Sequence, residues 1–212
     1  VEDNHFFEAA ELVDRAVPKD DLETVLTKIS YDEKLLLMMT AAGALMAIHQ
    51  KRIIHSDLKL QNVLLAISSS GKYVAKLIDF DSSYFVDDKP QEIIGDINFY
   101  SPELGDYGNT EDEDEMAERA KKITFKSDIF SLGLIFHIYL CGSMPKPIGL
   151  TGKLKGNQDR GKPVYSWAVL LNGFNLQVSS DIKNSRLKTL IERMLKFNPD
   201  NRPSATDVLN EL

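Results

Sequence analysis

Eight residues, His55-Ser56-Asp57-Leu58-Lys59-Leu60-Gln61-Asn62, separate two strongly apolar stretches of this chain. Before them runs a helical segment through Leu35-Leu36-Leu37-Met38-Met39 to Leu45, Met46 and Ile48, apolar on most of its circumference; after them comes Val63-Leu64-Leu65-Ala66. A helix of that kind is buried, so the polar octapeptide reads as a working loop held on a rigid scaffold. Its chemistry is specific. Asp57 can orient a hydroxyl or accept its proton, and Lys59 can neutralise charge developing on a phosphate. Asn62 offers a neutral amide oxygen to a hard cation such as Mg²⁺, which takes oxygen ligands and keeps several waters.

The neighbouring elements follow from local signals. His5 to Val13 is short and mostly apolar and reads as a strand; on pattern alone it could be a simple edge strand. Pro18 to Lys28 predicts a short amphipathic helix. Ser30, followed three residues later by Glu33, is a capping box that opens the long apolar helix, whose methionines read as core filler. Strands are predicted at Val63–Ile67 and Tyr73–Ile78, joined by a turn at Ser68-Ser69-Ser70-Gly71, and this hairpin delivers Asp79-Phe80-Asp81 to the neighbourhood of Asn62. A further apolar helix is expected from Lys126 to Leu140. Another, capped at Ser179-Ser180, should carry Leu187, Leu190, Ile191, Met194 and Leu195. The last should start at Ser204, with Asp207 completing its cap. Gly156 to Pro163 nearly spells a phosphate-binding loop but has Pro163 where a hydroxyl is needed and no strand before it. Lys146 to Lys162 is therefore read as an exposed loop.

With 212 residues and a formal net charge of -7, one domain is the default, and a nucleic-acid binder, which would show a basic stripe, is not expected. The four histidines show no metal-ligand spacing. A single cysteine, Cys141, allows no internal disulfide and suits a reducing compartment. No signal peptide is expected at Val-Glu-Asp-Asn, nor any membrane partner, since no apolar run reaches bilayer length. A cytoplasmic location is the expectation.

Five motifs in order resemble one family. The octapeptide resembles the protein kinase catalytic loop H-R-D-L-x-x-x-N, and its lysine two places after the aspartate resembles the serine/threonine class. Asp79-Phe80-Asp81 resembles Asp-Phe-Gly. Gly95 to Glu103, ending Ser101-Pro102-Glu103, resembles the end of an activation segment. Asp128 to Gly133 resembles Asp-x-Trp-Ser-x-Gly, and Asn198 to Ser204 resembles Asn-Pro-x-x-Arg-Pro-Ser/Thr.

This resemblance implies a mainly α (α+β) fold: a kinase-like C-lobe with a short β-hairpin at the catalytic loop, and no N-lobe within the chain. Residues 1–14 would be the last N-lobe strand and hinge, with Ala10 as gatekeeper, and 15–212 the C-lobe. Within it lie the catalytic loop 55–62, the activation segment 79–103 and an acidic insert at 109–122. That insert reads first as a solvated face, with a docking patch for a basic partner as the sharper alternative. By the same resemblance Asp57 would orient the substrate hydroxyl and Lys59 would stabilise the transferred phosphoryl. Asn62 and Asp79 would hold Mg²⁺, Leu64 would lie under the adenine of ATP, and Glu11 and Val13 would offer it backbone groups. Glu103 would pair, buried, with Arg202. Asp128 would accept amides of the loop around His55 and Ser56, or serve only as an N-cap.

The chain departs from the family at Ser56 (arginine), Asp81 (glycine), Asp96 (threonine, which there bridges the catalytic aspartate and lysine) and Phe130 (tryptophan). The implied function is the C-lobe of an ATP- and Mg²⁺-dependent protein serine/threonine kinase acting on a protein substrate, inactive as an isolated chain. A missing N-lobe, a partner or self-association would cover the exposed cleft. The alternative is a pseudokinase-like scaffold that binds proteins without turnover, for which the changes at Ser56, Asp81 and Asp96 speak.

Overall fold

A computed structural model describes residues 22–89 and 92–212. Helix α1 (Leu22–Lys28) leads into α2 (Tyr31–Gln50), which opens on the expected capping box: the Ser30 hydroxyl accepts from the Glu33 amide while Glu33 reaches back to the Ser30 amide. Strand β1 (Ile53–Ile54) follows, and beyond the polar octapeptide β2 (Val63–Ile67) and β3 (Tyr73–Leu77) form an antiparallel hairpin, Val63 opposite Leu77 and Ile67 opposite Tyr73. Gly71 supplies the positive φ of 78° that the connecting turn requires. Strand β4 (Tyr84–Phe85) returns to pair with β1.

The remainder is helical apart from one small strand pair. Helices α3 (Pro102–Tyr107), α4 (Glu113–Ala120) and α5 (Phe125–Cys141) come first. Strand β5 (Lys146–Ile148) pairs with β6 (Asn175–Gln177) around α6 (Gly152–Asp159) and α7 (Ser166–Leu171). Helices α8 (Ser185–Met194) and α9 (Ala205–Glu211) close the chain. Helix α5 is the axis of the fold. Ile129, Phe130, Leu132, Leu134, Ile135, Phe136 and Tyr139 are all buried, so it has no solvent face along most of its length. Helices α2 and α8 pack directly against it, while the hairpin and α9 pack on α2; Leu37, Met38, Ala41, Ala42 and Leu45 of α2 and Val63, Leu65 and Ala75 of the hairpin belong to the same buried core. Gly133 permits the closest approach, because a Cβ there would stand 3.0 Å from the Met194 Cβ. A smaller cluster of Ile54, Tyr84, Ile93, Leu104, Tyr107 and Ile123 lies beneath the segment that joins the hairpin to α3.

Four sequence readings need correction. The stretch from Lys146 to Lys162 is not a loop: it holds β5 and α6. Helix α6 carries no buried residue and is supported instead by the Lys155–Asp159 pair, four residues apart at 2.8 Å. The cap of α8 is Asn184, whose side chain accepts from the Leu187 amide, while Ser179 binds the Asp181 amide in a turn of its own. Asp128 is not an N-cap, because α5 opens one turn earlier on a box formed by Thr124 and Ser127. Met39 is exposed rather than core filler. The acidic run becomes the first turn of α4, capped by Asp112, where Glu113, Asp114 and Glu115 face the positive end of the helix dipole. Glu11, Val13, Ala10 and the strand expected at residues 5–13 lie outside the described residues. Among those described, no single helix is long and apolar enough to cross a membrane.

Candidate active site

The octapeptide is fixed from below by Asp128. One of its carboxylate oxygens accepts from the His55 amide at 2.9 Å and meets His49 Nε2 at 2.9 Å; the other accepts from the Ser56 amide at 3.0 Å. Two orphan amides of a tight loop are thereby satisfied by a single buried carboxylate, which rests on the axial helix. The contact lets Ser56 hold φ 69°, an uncommon value for a residue with a side chain. Leu58, buried, pins the middle of the loop. A 3-10 turn at Leu60–Asn62 then passes the chain into β2.

Between these anchors Asp57, Lys59 and Asn62 come together. Asp57 Oδ2 accepts from Lys59 Nζ at 2.5 Å and from Asn62 Nδ2 at 2.9 Å, and Asn62 Nδ2 also reaches the Asp57 carbonyl at 2.9 Å. Those two acceptors settle the orientation of the Asn62 amide and leave its oxygen turned away from Asp57. Asp57 Oδ1 is buried and has no hydrogen-bond partner, an arrangement that costs free energy unless something fills it. The hydrogen bond to Asp57 pushes the Lys59 ammonium above the usual lysine value; partial burial opposes this, and the fields of Asp57, Asp96 and Asp79 add to the rise.

Asp79 arrives from the far end of the hairpin. The Ile78 amide donates to the Asn62 carbonyl at 3.0 Å, so Asp79 follows directly on a residue tied to Asn62. Its backbone is left-handed, φ 63°, and its carboxylate is exposed. Phe80 lies against His55, ring centroids 4.9 Å apart, while His55 Nε2 donates to the Ile78 carbonyl at 3.2 Å. The catalytic loop and the Asp79 turn are thus joined at two places.

Asn62 and Asp79 offer one amide oxygen and one carboxylate, neither engaged by another described residue. That donor set fits Mg²⁺, which is bound through one or two carboxylates together with substrate phosphates. Leu64 sits next along β2 and is partly exposed, its neighbours Val63 and Leu65 turning into the core.

The segment after Asp79 is tethered to the loop without an arginine at position 56. The Ser56 hydroxyl donates to the Ile94 carbonyl at 2.9 Å, and the Ser83 hydroxyl to the His55 carbonyl at 3.2 Å. A Cβ on Gly95 would fall 2.7 Å from the Ser56 carbonyl oxygen, so only glycine lets the two backbone segments approach this closely. Arg52 adds a bidentate contact to Asp87 at 2.6 Å on both arms. Ser83, Arg52 and His49 carried no sequence signal, since their partners stand elsewhere in the chain.

The frame beneath is as expected from the sequence. Arg202 and Glu103 form a buried bidentate pair at 2.6 and 2.8 Å. Ser127 donates to the same carboxylate at 2.7 Å, and the remaining guanidinium N–H groups go to the carbonyls of Lys126, Lys196 and Phe197.

A helical lobe built on a buried axial helix, with an Asp–Lys–Asn loop feeding a hairpin that ends in an aspartate, has a protein kinase-like fold. The sequence matches the protein kinase domain over residues 4–212. It is 30% identical over 205 residues to a calcium and calcium/calmodulin-dependent serine/threonine-protein kinase of Lotus japonicus, covering 94% of this chain and 33% of that protein. The protein of the same description from Pisum sativum is 31% identical over 206 residues, covering 95% and 33%. Serine/threonine-protein kinase ppk25 of Schizosaccharomyces pombe is 35% identical over 129 residues, covering 58% and 27%. The chain belongs to the protein kinase family, and it spans about a third of the length of the curated relatives it matches most fully.

Proposed function

We propose that this chain is the catalytic C-lobe of a protein serine/threonine kinase that transfers the terminal phosphoryl of ATP, with Mg²⁺, to a hydroxyl of a protein substrate. The observation that carries the reading is the buried, unpartnered Asp57 Oδ1, held beside Lys59 and Asn62 by contacts that use only the other oxygen. An acceptor hydroxyl donating to that oxygen would relieve its burial penalty and be oriented for attack. The hydroxyl oxygen forms a bond to phosphorus as the bond to the ADP oxygen breaks, and the hydroxyl proton passes to Asp57. Lys59, held cationic by Asp57, stands where it can offset charge on the phosphoryl oxygens. Asn62 and Asp79 would hold Mg²⁺, which supplies charge neutralisation to the phosphates when bound, and Leu64 would support the adenine.

The serine/threonine-kinase relatives and the lysine two places after Asp57 support the hydroxyl specificity. The glycine cover and lysine–glutamate pair that position phosphates in this family are not among the described residues. The 212 residues alone are therefore expected to be inactive, with another lobe, a partner or a second copy over Leu64.

Full-length protein made from its coding sequence, incubated with γ-labelled ATP, Mg²⁺ and a mixed serine/threonine substrate, should give phosphoserine or phosphothreonine. Asp57→Asn and Asp79→Asn should each reduce it by about a hundredfold or more. Binding of substrate protein with no transfer at any Mg²⁺ concentration would instead establish the scaffold reading.

A further inference from the structure

Asp96 occupies a half-buried position at the mouth of the site. Its backbone is fixed on both sides. Ser56 grips the Ile94 carbonyl, Gly95 backs onto the Ser56 carbonyl, and the Asp96 carbonyl accepts from the Phe99 amide at 2.9 Å. Oδ1 is engaged by the Asn98 amide at 2.9 Å and by Asn98 Nδ2 at 2.8 Å. Among the described residues Oδ2 has no such partner and no ion pair includes this carboxylate. Lys59, the cation its field reaches, is committed to Asp57 at 2.5 Å. The same field reaches Tyr100, together with that of Asp57. Because Ile94 and Gly95 are held against Ser56, the residue before Asp57, Asp96 stands beside the place where an acceptor hydroxyl would meet Asp57. The residues flanking it, Ile94 and Ile97, are exposed and apolar, 57% and 42% accessible. A half-buried carboxylate in an apolar rim, with no cation of its own, is poised to take one from outside, because its field is weakly screened there.

We infer that Asp96 determines acceptor specificity, selecting protein segments that carry a lysine or arginine beside the phosphorylated hydroxyl. The cation falls close to the acceptor because an extended segment advances only about 3.3–3.6 Å per residue. This rests on the phosphotransfer reading for its biological meaning, but the recognition itself is a binding event and can be measured without turnover.

The test uses full-length protein and three fluorescent peptides, Ala-Ala-X-Ser-X-Ala-Ala, with X as Lys, Gln or Glu. Binding is followed by anisotropy for the wild type, Asp96→Asn and Asp81→Asn. Wild type should bind the lysine peptide about tenfold more tightly than the glutamine one and the glutamate one least, as expected for a close charge pair against a like-charge contact. Asp96→Asn keeps the oxygen that Asn98 binds, so its turn persists, yet the lysine preference should fall to near parity. Asp81→Asn removes the same charge from an exposed position earlier in the segment and should leave the preference intact. The inference is overturned if Asp96→Asn keeps the preference, if Asp81→Asn loses it equally, or if no peptide binds up to millimolar concentration. A parallel transfer assay separates the two readings. Lysine-selective binding without transfer would sink the kinase reading alone, while transfer to lysine and glutamate peptides at equal rates would sink the role of Asp96 alone.

Discussion

Glu103 with Arg202 and Asp57 with Lys59 are both carboxylate–cation pairs, held within one lobe and largely shielded from water, yet they are finished to different degrees. In the first pair all five guanidinium N–H groups have acceptors and the carboxylate has a third donor in Ser127. In the second, one carboxylate oxygen is buried with nothing to accept from. Buried side-chain polar atoms without partners, among the described residues, are His55 Nδ1, Asp57 Oδ1, Tyr84 Oη and Tyr139 Oη. Three of these border the same loop. The frame consumes its hydrogen-bonding capacity; the loop keeps some in reserve, and that reserve is what a substrate can use.

The largest expected effect breaks the comparison on the loop side. In full-length protein Asp57→Asn should cut phosphoryl transfer by about 10²–10⁴-fold, the range for a lost general base. It should leave thermal stability almost unchanged, because asparagine keeps an oxygen for Lys59 and Asn62. A parallel fall in melting temperature would mean that the loop, too, is structural.

On the frame side the pattern should reverse. Glu103→Ala leaves a buried guanidinium unpaired and should cost about 3–5 kcal/mol, read from denaturant unfolding. A silent substitution would show that the pair contributes nothing to the lobe.

Asp128 tests whether frame and loop are separable. It is buried in the frame, but its acceptors hold the loop amides. Asp128→Asn removes one charged acceptor and should cost roughly 1.5–3 kcal/mol while also lowering transfer. Loss of stability with activity intact would mean the loop shapes itself.

The smallest effect concerns His137. Its Nδ1 meets the Ser143 carbonyl at 2.6 Å and its Nε2 accepts from the Ser179 amide at 3.1 Å, which together require the neutral ring. Burial holds its pKa below the ordinary value, partly offset by the Ser143 contact. Below about pH 6.5 the unfolded chain takes up a proton that the folded one refuses, so stability is lost as pH falls through that range. The melting temperature between pH 7.5 and 5.5 should fall further in wild type than in His137→Gln, by about 2 °C or less.

Local chemistry was the legible part of the sequence. The boxes Ser30–Glu33 and Ser204–Asp207 lie three residues apart and cap the helices they announce. The hairpin was readable from its apolar runs and its turn at Gly71. Local chemistry also misled: Ser179 has the right side chain for a cap, but Asn184 stands nearer the first turn of α8. Helix α6 was invisible because Gly152 and Gly156 interrupt it and no apolar stripe marks a buried face. At the site, Asp57, Lys59 and Asn62 stood out by their chemistry in a polar loop between apolar elements and Asp79 by the hairpin that carries it, while their roles came from resemblance to a family. His49 could not be found at all, since its partner Asp128 lies 79 residues away.

The Arg202 pair also sets the tempo at which a nascent chain can finish this lobe. Glu103 is made 99 residues before the guanidinium that completes it. At ordinary elongation speeds that is a wait of roughly 5–20 s. Ser127 can reach the carboxylate only 24 residues on and tie α3 to the first turn of α5, but until Arg202 arrives the charge has no cation and must stay partly hydrated. Arg202 then reads Glu103, Lys126, Lys196 and Phe197 at once. The catalytic loop is complete in sequence long before, but the ground it stands on sets only as the last helix leaves the ribosome.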